Sequence, residues 1–305
     1  MAVSSNTKIA INGEFSRLKH LTSGDVLVSS HGTNRRVGRV EHRNSDALYA
    51  LTFTDGSLLY CDDNTAFPLT GRWDRIEDEE KTEFLTPSQL VNSEPNYWGY
   101  KLNAQYRGTK NPLTEKIHPY VLGLWAAGTV KESDLIVKLS PECSHDLEER
   151  GYELSRILNG YDVTPFMLSA HLKTFSLPSH SIPMEYIFAP VEDRRELLRG
   201  LTVMANKRNF GHVSLTLSNI TLLSNIRILL SSLGVITTIK RATYNDTHYY
   251  TISFPKNYVT ADREADWNKV KNVVRIKGEM QVTDLTIKGK ARDYTVGDTF
   301  IPVSR

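Results

Sequence analysis

The residue types that could do chemistry in this chain are few and scattered. Cys61 and Cys143 lie far apart with no metal-type spacing, so they read as ordinary thiols rather than a disulfide or a zinc site. The basic residues fall into short groups: Arg35-Arg36 with Arg39 and Arg43, Lys207-Arg208 with His212, and Lys240-Arg241 with Tyr244. Each group alone is what a solvated surface carries. Lys and Arg in clusters are also what neutralises the phosphates of a nucleic acid. A net charge of +2 over 305 residues leaves that choice to the local distribution. The acidic run Glu77-Asp78-Glu79-Glu80 suits a solvated loop or a helix start.

The elements that must position these groups fall into a centre and two flanks. In the centre, residues 118–128 predict a buried helix, with Pro119 at the first helical position and Val121, Leu122, Leu124 and Trp125 making it apolar nearly all round. Gly123 in mid-helix costs about 0.8–1 kcal/mol relative to Ala, which points to another backbone pressing against it. Residues 197–205, with Gly200, have the same build. Each segment is followed by polar, strand-like sequence and then a helix, the mark of an internal duplication. Asn219 suits the N-cap of a helix through Leu222, Ile226, Leu229, Leu230 and Leu233 that Gly234 ends.

The flanks read as short strands. Residues 9–14 give a strand with an Asn12-Gly13 turn, residues 24–29 and 47–53 are β-rich, and Asp55-Gly56 introduces a strand through Leu58, Leu59 and Tyr60. Turn-rich sequence at Pro95-Asn96, residues 108–112 and Pro255-Lys256-Asn257 suits boundaries. The expected domains are 1–108 and 258–305, two β parts that pair across an insertion at 109–257. With 40% hydrophobic residues, the chain can bury a sizeable core. No apolar run reaches about 18 residues, and Met1 to Ser5 lack a basic or apolar leader. The expectation is a protein without a membrane partner, in the cytoplasm or, in a eukaryote, the nucleus.

The central helices carry a resemblance. Residues 118–128, then Ile182-Pro183-Met184-Glu185-Tyr186 and residues 194–201, are similar to the signature segments of the LAGLIDADG (dodecapeptide) homing endonucleases nested in inteins. The resemblance implies a monomer with internal pseudo-twofold symmetry, in which each helix ends in an Asp holding a divalent ion, Mg²⁺, over the DNA. Here Gly128 and Ala205 stand at those places. Glu132, Asp134 and Asp193 lie off the matching positions, so no metal and no cofactor are expected.

The flanks resemble an intein's splicing domain, the Hint fold, through residues 18–25, 59–69, 282–287 and 294–305. The implied fold class is α+β: an all-β Hint-like splicing domain interrupted by a pseudo-twofold αββαββα endonuclease-like domain. Splicing of that kind needs Cys or Ser at the first residue, and the alignment puts Ala2 there. The family's strand threonine and histidine fall on Asp62 and Thr65, and its closing His-Asn on Ser304 and Arg305. In the endonuclease family, sheets behind each helix lie in the major groove. The basic groups, Arg35, Arg36, Arg39, Arg43, Lys207, Arg208, His212, Lys240, Arg241 and Tyr244, are the corresponding candidates for double-stranded DNA. The expected function is a catalytically silent pseudoenzyme of this type that binds DNA. The alternative is an intein with protein-splicing and site-specific endonuclease activity, inactivated by decay or mutation. A third reading is an interaction protein that uses only the fold.

Overall fold

A computed structural model describes residues 2–11, 13–29, 32–71, 82–93, 98–101, 117–127, 135–136, 141–150, 155–157, 160–162, 181–203, 205, 211–256, 258, 266–289 and 293–304. Gly128, Lys207, Arg208 and Arg305 lie outside these residues.

The first ten strands are β1 (Ala2–Ser4), β2 (Lys8–Ile11), β3 (Glu14–Arg17), β4 (Val26–Val28), β5 (Asn34–Ser45), β6 (Leu48–Phe53), β7 (Leu58–Asp62), β8 (Phe67–Gly71), β9 (Thr82–Leu85) and β10 (Trp98–Lys101), with helix α1 (Pro87–Val91) before the last. Then come α2 (Pro119–Ala126), β11 (Leu135–Ile136), α3 (Pro141–Glu149), β12 (Ser155–Ile157) and β13 (Gly160–Asp162). Helices α4 (Met184–Ile187) and α5 (Val191–Thr202) precede β14 (His212–Leu217), α6 (Ile220–Ser232), β15 (Thr238–Tyr244) and β16 (Thr247–Pro255). The chain closes with β17 (Trp267–Ile276), β18 (Met280–Ile287), β19 (Tyr294–Val296) and β20 (Ile301–Val303). It divides into two compact units, one of Met1–Arg107, Leu230–Thr238 and Glu264–Arg305, the other of Gly108–Leu229 and Ile239–Arg263.

The first unit is mostly β, with a large antiparallel sheet in the order β3-β2-β4-β5-β18-β1-β7-β6-β17-β10-β8-β9 and a β19-β20 hairpin. Gly13 and Gly56, at φ +86 and +78, make the turns β2–β3 and β6–β7, a conformation open to glycine without strain. Strand alternation sends Tyr49, Leu51 and Phe53 of β6 to one face, where they join Val3, Leu59, Cys61, Phe67, Val270 and Tyr294 in the core. The three residues of β1 are all buried, because β1 lies between two partners: Ala2 pairs with Asp284 and Val3 with Cys61. Early and late segments of the chain thus share one sheet.

The second unit holds helices α2 to α5, most of α6 and two three-stranded sheets, β11-β13-β12 and β14-β16-β15. All eight residues of α2 are buried. As the sequence suggests, Gly123 and Gly200 are where α2 and α5 meet. A Cβ on Gly123 would lie 2.9 Å from the Gly200 Cα, and one on Gly200 would lie 3.0 Å from both the Gly123 Cα and the Leu124 nitrogen. Backbone therefore packs directly on backbone. The Asn219 carboxamide oxygen accepts from the Thr221 and Leu222 amides at 2.9 and 3.1 Å, and Gly234 follows α6 at φ +75. These are the cap and stop expected.

Ion pairs fasten α3 to this helix pair. Arg150 lies over the Tyr120 ring at 4.4 Å and donates to Glu196 Oε2 at 2.9 Å through Nε. Arg199 donates to Glu196 at 3.0 Å and to Asp146 at 3.2 Å. The Tyr120 hydroxyl donates to Asp146 at 3.2 Å, and burial raises its pKa, so it stays a donor. At the start of α2, His118 Nδ1 accepts the Tyr120 amide at 3.2 Å. Among the described residues, no helix is long and apolar enough to cross a membrane.

Candidate functional site

Strand β7 ends at Asp62, and the turn that follows brings three of the sequence-predicted positions together. The Ala2 amide donates to Asp62 Oδ1 and to Thr65 Oγ1, both at 3.2 Å. The Thr65 hydroxyl has one proton for two acceptors, the Ala2 carbonyl at 3.0 Å and Asp62 Oδ1 at 3.2 Å. One residue further on, Ala66 and Ser304 exchange backbone hydrogen bonds of 2.9 and 2.7 Å. Ala2, Asp62, Thr65 and Ser304, distant in sequence, so share the loop of residues 62–66. The Asp63 carboxylate accepts the Ser88 amide at 2.8 Å, which ties the same loop to α1.

The Asp62 side chain is 3% exposed and surrounded by donors. Its Oδ1 also takes the Asn64 amide at 3.1 Å, and its Oδ2 takes Asn64 Nδ2 at 3.2 Å and pairs with the Arg43 guanidinium. Sequence reasoning set Arg43 among the candidate DNA contacts, and its engagement with Asp62 carried no local signal, since the two residues meet only through the sheet. Beside the loop, Cys61 is fully buried, and burial, helped by the Asp62 charge, pushes its thiol well above the usual range. Such a thiol remains protonated and is a poor nucleophile. Ala2 has none to offer. The cluster holds residue 2 through both its N–H and its carbonyl.

The other predicted residues stand apart from this loop. Arg35, Arg36 and Arg39 lie along β5: Arg35 is 4.0 Å from Asp293, Arg39 pairs with Glu41, and Arg36 is exposed. His212 is an exposed residue of β14. Lys240, Arg241 and Tyr244 lie on β15, whose seven residues are all exposed. Lys240 and Tyr244 share one face, and Arg241 on the other lies 2.7 Å from His248 Nε2. Ala205, half-buried, follows α5 and donates its amide to Thr202 at 3.0 Å.

At the two positions where the resemblance sets a metal-holding Asp, Gly128 has no side chain and Ala205 no side-chain oxygen, and neither fits Mg²⁺, which needs oxygen ligands. Among the described residues, no group of three or more His, Cys, Asp or Glu is placed to hold a metal.

No family model matches the chain, and no curated protein matches it either. Among solved structures it is similar to the MchDnaB-1 intein, at 18% identity over 29% of this chain and 60% of that one, with a TM-score of 0.24. It is similar to the Msm DnaB1 intein splicing domain, described with bound zinc, at 19% identity over 22% and 54% of the two chains and a TM-score of 0.21. A variant of the Ssp DnaB mini-intein aligns over 99% and 97%, at 10% identity and a TM-score of 0.32. The chain spans 60% and 54% of the first two of these.

Proposed function

We propose that this chain is a Hint-type splicing protein whose splicing site is silent, with a LAGLIDADG-type insertion at residues 109–257 between splicing parts 1–108 and 258–305. The observation that carries the reading is the loop of residues 62–66, which holds the Ala2 amide on one side and the Ser304 backbone on the other. A splicing reaction needs both ends of the excised segment at one place, and this loop supplies such a place. It also needs a nucleophile at the first residue and a side-chain amide at the last. Ala2 carries no thiol or hydroxyl, and the resemblance that sets the closing His-Asn on Ser304 and Arg305 leaves no side-chain amide at those two positions. Flanked by two foreign segments, the protein is expected to give no ligated product and no cleavage at either end on a denaturing gel. Any ligated or cleaved product overturns the silent reading.

Double-stranded DNA is the proposed partner of the second unit. Supporting this is β15, whose seven residues are all exposed and include Lys240, Arg241 and Tyr244, with exposed His212 on β14, across β16 in the same sheet. Arg43 is left out of the contact set, because its guanidinium is engaged by Asp62. Duplex affinity is expected to fall steeply with salt, and replacing Lys240 and Arg241 by Ala should flatten the slope of log K against log salt by about one to two units. No mobility shift at about 50 mM salt removes the DNA reading.

A further inference from the structure

We infer that Asp62, held by Arg43, makes the loop of residues 62–66 a clamp on the N–H of the peptide joining Met1 to Ala2, so that a nucleophile introduced at position 2 would still fail to cut that bond. The inference rests on the splicing-type reading of this loop and adds a second cause of silence to the missing nucleophile.

The chemistry of cutting sets the requirement. In an acyl shift, a thiol sulfur at position 2 bonds to the carbonyl carbon of Met1, the C–N bond breaks, and the thiol proton ends on the freed nitrogen. A proton donor must therefore face that nitrogen as the bond breaks. Here the two groups that face it both accept. Asp62 Oδ1 and Thr65 Oγ1 each take the Ala2 N–H at 3.2 Å, and the Thr65 proton is directed to the Ala2 carbonyl or to Asp62. Acceptors on the N–H favour the planar amide and offer the departing nitrogen nothing.

Arg43 is a positioning residue, since it touches Asp62 and not the peptide. With Arg43 and Asn64 on Oδ2 and the Asn64 amide on Oδ1, the carboxylate is fixed in the orientation that presents Oδ1 to Ala2. A charged, nearly buried acceptor of this kind keeps its geometry only while its donors remain.

The test uses the full chain with a foreign N-terminal segment, incubated with dithiothreitol, which captures a thioester. Ala2→Cys alone should release the segment about a hundredfold more slowly than Ala2→Cys combined with Asp62→Thr and Thr65→His, which exchange the acceptors for a donor. Equal release from the two overturns the clamp. Amide hydrogen exchange on the otherwise unmodified chain gives a second reading that does not depend on how the triple variant folds. Arg43→Met should speed exchange at the Ala2 amide about tenfold, while the Ser5 amide, bonded to the Gln281 carbonyl at 2.9 Å, changes less than about twofold. Arg43→Lys should restore most of the protection at Ala2. Equal acceleration at both amides, or none, overturns the positioning role. Cleavage at residue 2 by the unmodified chain would overturn both this inference and the silent reading beneath it.

Discussion

The loop of residues 62–66 and the contact between α2 and α5 join distant parts of the chain in opposite ways. In the loop, every link runs through a side chain or a single backbone bridge: Asp62 and Thr65 to Ala2, Asp63 to Ser88, Ala66 to Ser304. At the helix contact there is no side chain at all between Gly123 and Gly200. The first arrangement depends on charge and hydrogen-bond polarity and tolerates small movements. The second depends on volume and tolerates none. The loop's links can be exchanged residue by residue, whereas the helix contact has no room for one methyl group.

The largest expected effect follows from that difference. Gly200→Val should destabilise the second unit by about 3 kcal/mol or more, because the nearest atoms are backbone and cannot yield. Chemical denaturation followed by the α2 residue Trp125 would measure it, and a loss below about 1 kcal/mol would mean the two helices can separate at little cost. Asp62→Ala should cost about 2 kcal/mol in the first unit, since it strips acceptors from the Ala2 and Asn64 amides while Arg43, at 40% exposed, can turn to water. A denaturation midpoint unchanged from the native chain would show that the loop is held by something other than Asp62.

The smallest effect is a pH dependence that brings polarity into the helix region. His118 caps α2 through Nδ1, which must be unprotonated to accept the Tyr120 amide. Burial lowers its pKa below the ordinary 6.5, against Glu196 and Asp193, which raise it, and with Arg150, which lowers it further. The folded state therefore binds this proton less readily than the unfolded chain. Its contribution is complete above pH 6.5, is lost as pH falls from there toward the folded pKa, and levels off below it. Asp193, raised by burial, acts with the opposite sign as its own proton returns at lower pH. His118→Asn, a cap that does not titrate, should flatten the fall in stability as pH drops below about 6.5. Identical melting profiles for the two proteins below that pH would assign the acid sensitivity elsewhere.

Legibility in the sequence follows the same division. The contact at Gly123 and Gly200, the Asn219 cap, the Gly234 stop and the turns at Gly13 and Gly56 were all readable, because each follows from what one residue type can do locally. Strand β5 was not: of its twelve residues only Val37 and Ser45 are buried, so no apolar alternation marked it, and its arginines stood out as a cationic patch instead. At the candidate site, the resemblance set Asp62 and Thr65 on the run of residues 59–69, and the structure has them at the end of β7 and in the turn after it. The partnership of Arg43 with Asp62 was hidden, since it depends on the β5-β18-β1-β7 strand order, which no local pattern encodes.

The strand order also fixes a sequence of events during synthesis. Strand β1 needs β18 on one edge, and Ser5 meets Thr283 across a separation of 278 residues, hydroxyl to hydroxyl at 2.8 Å. Closing so long a loop is slow compared with forming contacts inside the second unit, whose α2 and α5 leave the ribosome well before β18. A nascent chain therefore carries β1 with one edge unpaired while the helical unit is already able to fold. Strand β18, which emerges after the helical unit, converts that open edge into the interior of the sheet, and until it does the Ala2–Ser4 segment remains a site for mispairing with other strands.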